Sequence, residues 1–301
     1  MRILITGANG FIGRHLANSF VEDGWNDVYC TERTWSSNIN NKRPNLPHYF
    51  VDLTDLQELE MIMRQIQPDV IYHCAAHANV VDSFAKPSVD ATTNILGTIN
   101  LLEIAISTGV NKIIYSSSGG ASYGEQQTKT PMTEKHPIDP LSPYGFSKWA
   151  AEQYFKMLDF PNFCVLRYSN VYGKNCRGVV KYFKDCYDKH ESPVIYGTGD
   201  DTTRDYVHVS DVVSANRYVL KNDLQGTYNV STGIPTTLNQ LWETLVLAST
   251  SDPLTSHSTM PLIYKDLRDG ECINNVLSSE KLQSEGWELK IGLIEGLSLD
   301  I

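Results

Sequence analysis

Three glycines, at positions 7, 10 and 13, fall between a β-branched apolar run, Arg2–Thr6, and a segment of helical spacing, Phe11–Asp23. A strand that turns into a helix through so tight a bend needs residues without a Cβ, so this spacing commits the chain to a strand–turn–helix opening. The same turn gathers backbone N–H groups and the positive end of a helix dipole at one point, which makes a cradle for a pyrophosphate. Glycines in a strand–helix turn are common and weak evidence alone. Placed directly after the first strand, with Phe11 and Ile12 between the second and third glycine, they point to dinucleotide binding.

The rest of the first half supports that opening. Strand-like runs at Asp27–Thr31, His48–Val51, Val70–His73, Lys112–Ser116 and Cys164–Tyr168 alternate with helix-period segments at Leu56–Gln67, Val89–Thr108 and Pro143–Leu158. Such alternation predicts an α/β fold with a doubly wound parallel sheet covered on both faces. The second half is less regular, with a turn cluster at Gly197–Asp201 and helices near Ser210–Leu220 and Leu238–Ser249. The aromatic run Tyr182, Phe183, Tyr187 reads as helix packing, not base stacking, and Glu58–Glu60 as a solvated helix face.

Composition removes other classes of function. The 301-residue chain carries a net charge of −10, which disfavours general binding to nucleic acid or an anionic membrane. A phosphate-bearing ligand must then be held by a few placed groups. No stretch approaches the ~18 apolar residues of a bilayer span, and no basic segment followed by a long apolar run opens the sequence. The six cysteines form no C-x-x-C pair. Buried free thiols and a cytoplasmic protein are expected.

An acidic residue about 20 positions past the glycine turn can accept hydrogen bonds from an adenosine ribose. Glu32, 19 residues beyond Gly13, is placed for that role and favours NAD, because a carboxylate repels a 2′-phosphate; the adjacent Arg33 argues for NADP, and both can be loop charges. Asp52, beside the apolar Leu53 at a strand end, suits an adenine amino group, although Asp52 or Asp55 can equally cap the next helix. Tyr144 and Lys148 stand at i and i+4 on one helix face, just after Pro143. A phenol is a poor base at neutral pH, and an ammonium beside it is expected to lower its pKa. Ser116, Ser117 and Ser118 follow the strand Lys112–Tyr115, where a hydroxyl can bond the reacting oxygen and relay its proton. His73, Cys74 and His77 cross a strand end with no carboxylate cluster apparent, so no metal site is expected.

Taken in order, the glycine turn, the serines and the Tyr–Lys pair resemble the extended short-chain dehydrogenases/reductases. The pattern is closest to the NAD-dependent nucleotide-sugar epimerase/dehydratase family typified by UDP-glucose 4-epimerase, from Met1 to about Leu297. The segment His73-Cys74-Ala75-Ala76-His77 is similar to the family's H-x-A-A run, which lines the cofactor, and Asn94 to the helix asparagine that supports the active site. Tyr168–Gly173 resembles R-Y-x-N-x-Y-G, which implies Ser169 near the nicotinamide and Asn170 on the sugar nucleotide. The runs Thr203–Val209 and Arg268–Glu271 resemble segments whose arginines, here Arg204 and Arg268, hold the substrate diphosphate. The resemblance implies an NAD-binding Rossmann domain, residues 1–168 plus about 205–232. A smaller interleaved α/β domain, about 169–204 plus 233–301, would bind the nucleotide sugar, UDP-linked by expectation. A homodimer through Val89–Thr108 and Pro143–Leu158 is also implied.

Two departures from the family matter, beside the replacement by Leu289 of the proline in the closing segment that Gly286-Trp287 and Ile291–Leu297 resemble. The catalytic Ser/Thr usually lies four residues before the tyrosine of a Y-G pair; that position is Gly119, so the hydroxyl is expected from Ser118, with Ser117 second. Sugar 4,6-dehydratases carry an extra acid and base here, where this chain has Gly119 and Gly120. Hydride abstraction and return, 4-epimerisation with Ser118, Tyr144 and Lys148 as catalytic residues, is the expected chemistry. An NAD(P)H-dependent 4-keto-sugar reductase is the alternative, and a catalytically idle sensor would have lost Tyr144 or Lys148. In the family a bulky residue seven past the diphosphate arginine excludes N-acetylated sugars; Asn275 occupies that position and favours their acceptance.

Overall fold

The computed structural model describes residues 1–33, 46–126, 129–249, 260–266 and 272–300. Six strands of the first half are β1 (Ile3–Thr6), β2 (Val28–Glu32), β3 (His48–Phe50), β4 (Val70–His73), β5 (Lys112–Ser118) and β6 (Phe163–Tyr168). With Gly226–Val230 they form one seven-stranded sheet in the order Gly226–Val230, β6, β5, β4, β1, β2, β3. The pairings β1–β2, β1–β4, β2–β3 and β4–β5 are all parallel. From β1 the chain builds outward through β2 and β3, then returns to start β4 on the other side of β1. The carboxyl ends of β1 and β4 therefore flank the switch point of a Rossmann sheet, where such folds bind ligands. Thr6 and His73 are partners in register at that edge.

The strands hold together because both faces are apolar. Leu4, Ile71, Ile113, Tyr115 and Val165 are buried in one core with Leu101 and Leu102 of the helix Gly97–Thr108 and Phe155 of the helix Pro143–Met157. Each such side chain contributes about 1.5–3 kcal/mol by leaving water.

Two local features differ from the sequence expectation. β5 runs on through Ser118, so the serines form its last three residues instead of following it. The segment expected as one helix, Val89–Thr108, is built as Pro87–Ala91, a π-helical turn Thr92–Leu96, and Gly97–Thr108. Hydrophobic spacing cannot distinguish a π turn from the α-helix around it, and such turns often mark functional positions.

The chain divides into two compact units, Met1–Ser122 with Ser142–Arg167 and Val213–Tyr228, and Tyr123–Leu141 with Tyr168–Val212 and Asn229–Ile301. The stretches Tyr123–Leu141, 205–212 and 229–232, together with Tyr168, thus group with the second unit, not the first as expected. Within that unit the reason is visible. Tyr123 donates its hydroxyl proton to Asn229 Oδ1 (2.8 Å), Asn229 Nδ2 donates to the Met132 carbonyl (3.0 Å), and the Glu125 carboxylate accepts from the N–H groups of Ile273 (2.6 Å) and Asn274 (2.8 Å). Phe183 is buried with its ring 5.6 Å from that of Trp242, as helix packing predicts. All six cysteines are free, four of them buried. Among the described residues no helix is long and apolar enough to cross a membrane.

Candidate active site

At the switch point the glycine turn is as tight as its spacing predicts. Gly7 has φ +68°, and a Cβ on it would lie 2.6 Å from the Ala75 Cα; one on Gly13 would lie 2.4 Å from the Gly7 carbonyl oxygen. Gly10 caps the helix Phe11–Glu22 without a side-chain bond, so the first-turn amides of Phe11, Ile12 and Gly13 have no acceptor within the helix. Asn9 adds a buried side-chain amide nitrogen without a hydrogen-bond partner. Uncommitted donors at a helix N-terminus, approached closely by backbone alone, fit a dinucleotide pyrophosphate.

The predicted ribose and adenine readers lie at the ends of β2 and β3. Glu32 is buried; its Oε1 meets His48 Nδ1 at 2.7 Å, and its Oε2 is buried without a partner. An orphan acceptor on a carboxylate suits a ribose hydroxyl. Arg33 is exposed. Asp52 Oδ1 accepts from the N–H (3.0 Å) and hydroxyl (2.8 Å) of Thr54, whereas Asp55 caps the next helix by accepting from Glu58 N–H (3.0 Å). Leu53 is buried beside Gly97.

A hydrogen-bonded relay fixes the His73–His77 segment. Thr98 Oγ1 donates to the Asn94 carbonyl (2.7 Å), so it accepts from His73 Nε2 (2.9 Å); Thr6 Oγ1 accepts from Ala75 N–H (3.2 Å) and gives its own proton to His73 Nδ1 (2.8 Å). The bonds thus assign His73 as the neutral Nε2–H tautomer, with neither nitrogen left for a metal. Burial, reinforced by the Lys148 charge, pushes its pKa down to about 3. The unfolded chain takes up this proton near 6.5 and the folded chain resists it. The stability is therefore complete above about pH 6.5 and lost as pH falls toward 3. The melting temperature should drop steadily across that window, and His73→Gln should flatten the slope; an unchanged slope in the variant would refute the assignment.

Asn94 sits in the π turn and ties this segment to the catalytic helix. Its Oδ1 accepts from His77 N–H (2.7 Å), and its Nδ2 donates to Asp90 Oδ1 (3.1 Å) and Ser147 Oγ (2.9 Å). The His77 ring lies between Asp82 (3.0 Å) and Asp90 (3.4 Å). The sequence reading missed both carboxylates; the i, i+4 spacing of Asp90 and Asn94 was the available signal. Cys74 Sγ lies 3.3 Å from Ser116 Oγ.

The expected acid–base pair, Tyr144 and Lys148, is on the helix Pro143–Met157, which Ser142 caps by accepting Gly145 N–H (3.1 Å). Ser118 lies close enough to Tyr144 for its hydroxyl to favour the phenolate, and Ser118 Oγ accepts Ala121 N–H (3.2 Å). Lys148 is 2% exposed, with its ammonium 4.1 Å from the centre of the Tyr115 ring. Ser117 is excluded from the same role, because its hydroxyl donates to Glu152 Oε1 at 2.5 Å and is buried there. Of the two serines, Ser117 is the one whose hydroxyl is committed to Glu152.

One electrostatic expectation fails. Burial pushes the Tyr144 phenol up to about 12, with the Ser118 bond opposing, and burial draws Lys148 down to about 7, against the pull of Glu152, Cys74 and Asp90. Desolvation, joined by the Asp90 charge, decides the phenol, so the protein alone does not lower it.

The second unit holds the remaining predicted residues. Asn170 N–H donates to the Asp205 carbonyl (2.9 Å) and Ser169 Oγ to Asp205 Oδ1 (3.3 Å), while Asp205 also accepts from Thr232 and Gly233 N–H (both 2.9 Å). The Arg204 guanidinium donates to the carbonyls of Thr203 and Ile273 (both 2.9 Å) and of Cys272. Asn275 is buried, with Nδ2 on the Gly124 carbonyl (3.2 Å). Arg268 lies outside the described residues.

The model of the NAD dependent epimerase/dehydratase family matches residues 3–231. A UDP-glucose 4-epimerase of Mycolicibacterium smegmatis is 34% identical, covering 99% of this chain and 96% of its own. The structure of a UDP-glucose 4-epimerase with UDP-glucose from Thermotoga maritima superposes with a TM-score of 0.91 at 36% identity, covering 100% of this chain and 97% of its own. That of a Thermus thermophilus UDP-glucose 4-epimerase with NAD gives 0.89 at 33% identity, with coverage of 100% and 97%.

Proposed function

The chain belongs to the NAD dependent epimerase/dehydratase family, and from that premise we propose that it is an NAD-dependent nucleotide-sugar 4-epimerase acting on UDP-sugars. The observation that carries the reading is Ser118 at the end of β5 beside Tyr144, with Lys148 buried one turn further along the same helix, and with Gly119 and Gly120 where a dehydratase needs carboxylates.

NAD, when bound, would supply the acceptor for the sugar C4 hydride and the donor for its return to the opposite face. Tyr144 accepts the C4 hydroxyl proton, directly or through Ser118, and later returns it. Its pKa, raised by burial, would be brought down by the positive charge of an oxidised nicotinamide bound beside it. Lys148 also holds the nicotinamide ribose. Gly7, Gly10 and Gly13 with the amides of Phe11 and Ile12 receive the pyrophosphate, and Glu32 the adenosine ribose. Asp52 and Leu53 border the adenine, while Cys74–His77, Asn94, Ser116 and Ser169 line the rest of the cofactor. Asn170, Arg204, Arg268 and Asn275 bind the sugar nucleotide. A substitution at the buried Asn275 needs a stability control before it is read as a change of sugar preference.

Proton NMR with UDP-glucose or UDP-N-acetylglucosamine and catalytic NAD is the direct test. The 4-epimer should appear without net cofactor reduction. Absence of product with both sugars, together with NADPH consumption on a 4-keto sugar, would establish the reductase reading, for which the exposed Arg33 beside Glu32 is the one local argument. Ser118→Ala should lower kcat about 100-fold, while Ser117→Ala should chiefly lower stability. Equal kinetic losses in the two variants would contradict the choice between them.

A cytoplasmic homodimer fits the same reading. Phe146 (52%), Met157 (73%) and Leu96 (46%) leave apolar surface on the two segments expected to pair. Phe146→Glu should convert a dimer to a monomer in sedimentation if that face is the interface.

A further inference from the structure

Glu152 is the one carboxylate on the catalytic helix that the reaction above does not use. It follows Lys148 by four residues and Tyr144 by eight, so the three share one helix face. It is 1% exposed, and its carboxylate is held from two other strands: Arg167 of β6 donates through Nε (3.1 Å to Oε1) and Nη2 (2.6 Å to Oε2), and Ser117 of β5 donates to Oε1 (2.5 Å). Ser117 immediately precedes Ser118. One carboxylate thus fastens the helix that carries Tyr144 and Lys148 to the strand end that presents Ser118.

We propose that Glu152 is a positioning residue of the epimerase reaction, holding Lys148 as an ammonium and setting the register of the catalytic helix against Ser118. The inference rests on the functional reading given above, in which Lys148 must be charged. Lys148 is surrounded by Asp90 ahead of the π turn, His73 and Cys74 at the end of β4, the Tyr115 ring on β5 and Glu152 on its own helix, with Arg167 behind Glu152, and Tyr144 stands one helix turn before it. Burial brings Lys148 to about 7, and Glu152 is the largest influence raising it. A lysine so poised loses its charge in the working pH range if that carboxylate is neutralised.

Glu152→Gln keeps the acceptor for Ser117 but leaves Arg167 buried without its counter-charge, and it can fail to fold. Glu152→Gln/Arg167→Met removes both charges and is the second variant. The titration of Lys148 is followed in lysine-13Cε-labelled protein with NAD added, its signal identified by its loss in Lys148→Met. In the double variant its midpoint should fall by about one pH unit, and the alkaline limb of the pH–rate profile should move down with it while KM holds. A midpoint unchanged from the parent, with activity falling only as far as thermal stability does, would reduce Glu152 to a structural clamp and overturn the proposal. If the parent protein epimerises no UDP-sugar, the functional reading fails on its own, and the Lys148 titration still decides whether Glu152 controls the lysine.

Discussion

Tyr144→Phe is expected to lower epimerisation at least about 1000-fold while leaving the protein folded and able to take up NAD. The substitution removes one oxygen. The backbone contact of the residue, Tyr144 N–H to Ser83 Oγ at 3.2 Å, and the Ser142 cap of the helix are untouched. What disappears is the group beside Ser118 that is proposed to hold the C4 proton in a basic form. The pH dependence follows from the same electrostatics. With the phenol pushed up to about 12 and Lys148 down to about 7 in the protein alone, the phenolate–ammonium pair is scarce at any pH. Positive charge from the oxidised cofactor lowers the phenol, so activity should rise with pH as the phenolate forms and fall when Lys148 loses its proton. A Tyr144→Phe enzyme retaining more than about a tenth of the parent kcat would remove Tyr144 from the proton path.

The parts of this site that a sequence reader can see are those written in local spacing. Gly7, Gly10 and Gly13 are legible because the turn tolerates no Cβ, and Tyr144 with Lys148 because one helix turn separates them. The alternation of strands and helices gives the parallel sheet, since a strand buried on both faces must be apolar throughout. What stays hidden depends on contacts between distant segments. Ser117 and Ser118 look alike until Glu152, 35 residues beyond Ser117, is seen to occupy one of them. Asn94 looks like a helix residue until the π turn shows its side chain bonded to His77, Asp90 and Ser147. The Tyr144 pKa is hidden for the same reason: an ammonium at i+4 is visible in sequence, whereas the desolvation that raises the phenol comes from the whole fold. The domain boundaries shifted because Tyr123 and Glu125 bond to residues more than 100 positions away.

Gly7→Ala should cost about 2–5 kcal/mol of stability and abolish tight NAD binding, because it combines two penalties at one atom. An alanine at φ +68° is strained in itself, by about 1–2 kcal/mol. Its methyl would also stand 2.6 Å from the Cα and 2.7 Å from the N of Ala75, and these are backbone atoms that cannot rotate aside. Relief requires moving either the turn or the segment Cys74–His77, and both are proposed to touch the cofactor. Gly24→Ala is the control. It has nearly the same backbone angle, φ +74°, but nothing lies within 4 Å of the added Cβ. That variant should show the strain alone, about 1 kcal/mol, with NAD uptake unchanged. Melting temperature and bound nucleotide, read by absorbance of the purified proteins and by calorimetric titration, separate the two effects. If Gly7→Ala bound NAD with the parent affinity, the glycine turn would be a packing device and the pyrophosphate would have to be held elsewhere; if Gly24→Ala lost NAD as well, backbone strain and not the close approach to Ala75 would be the common cause.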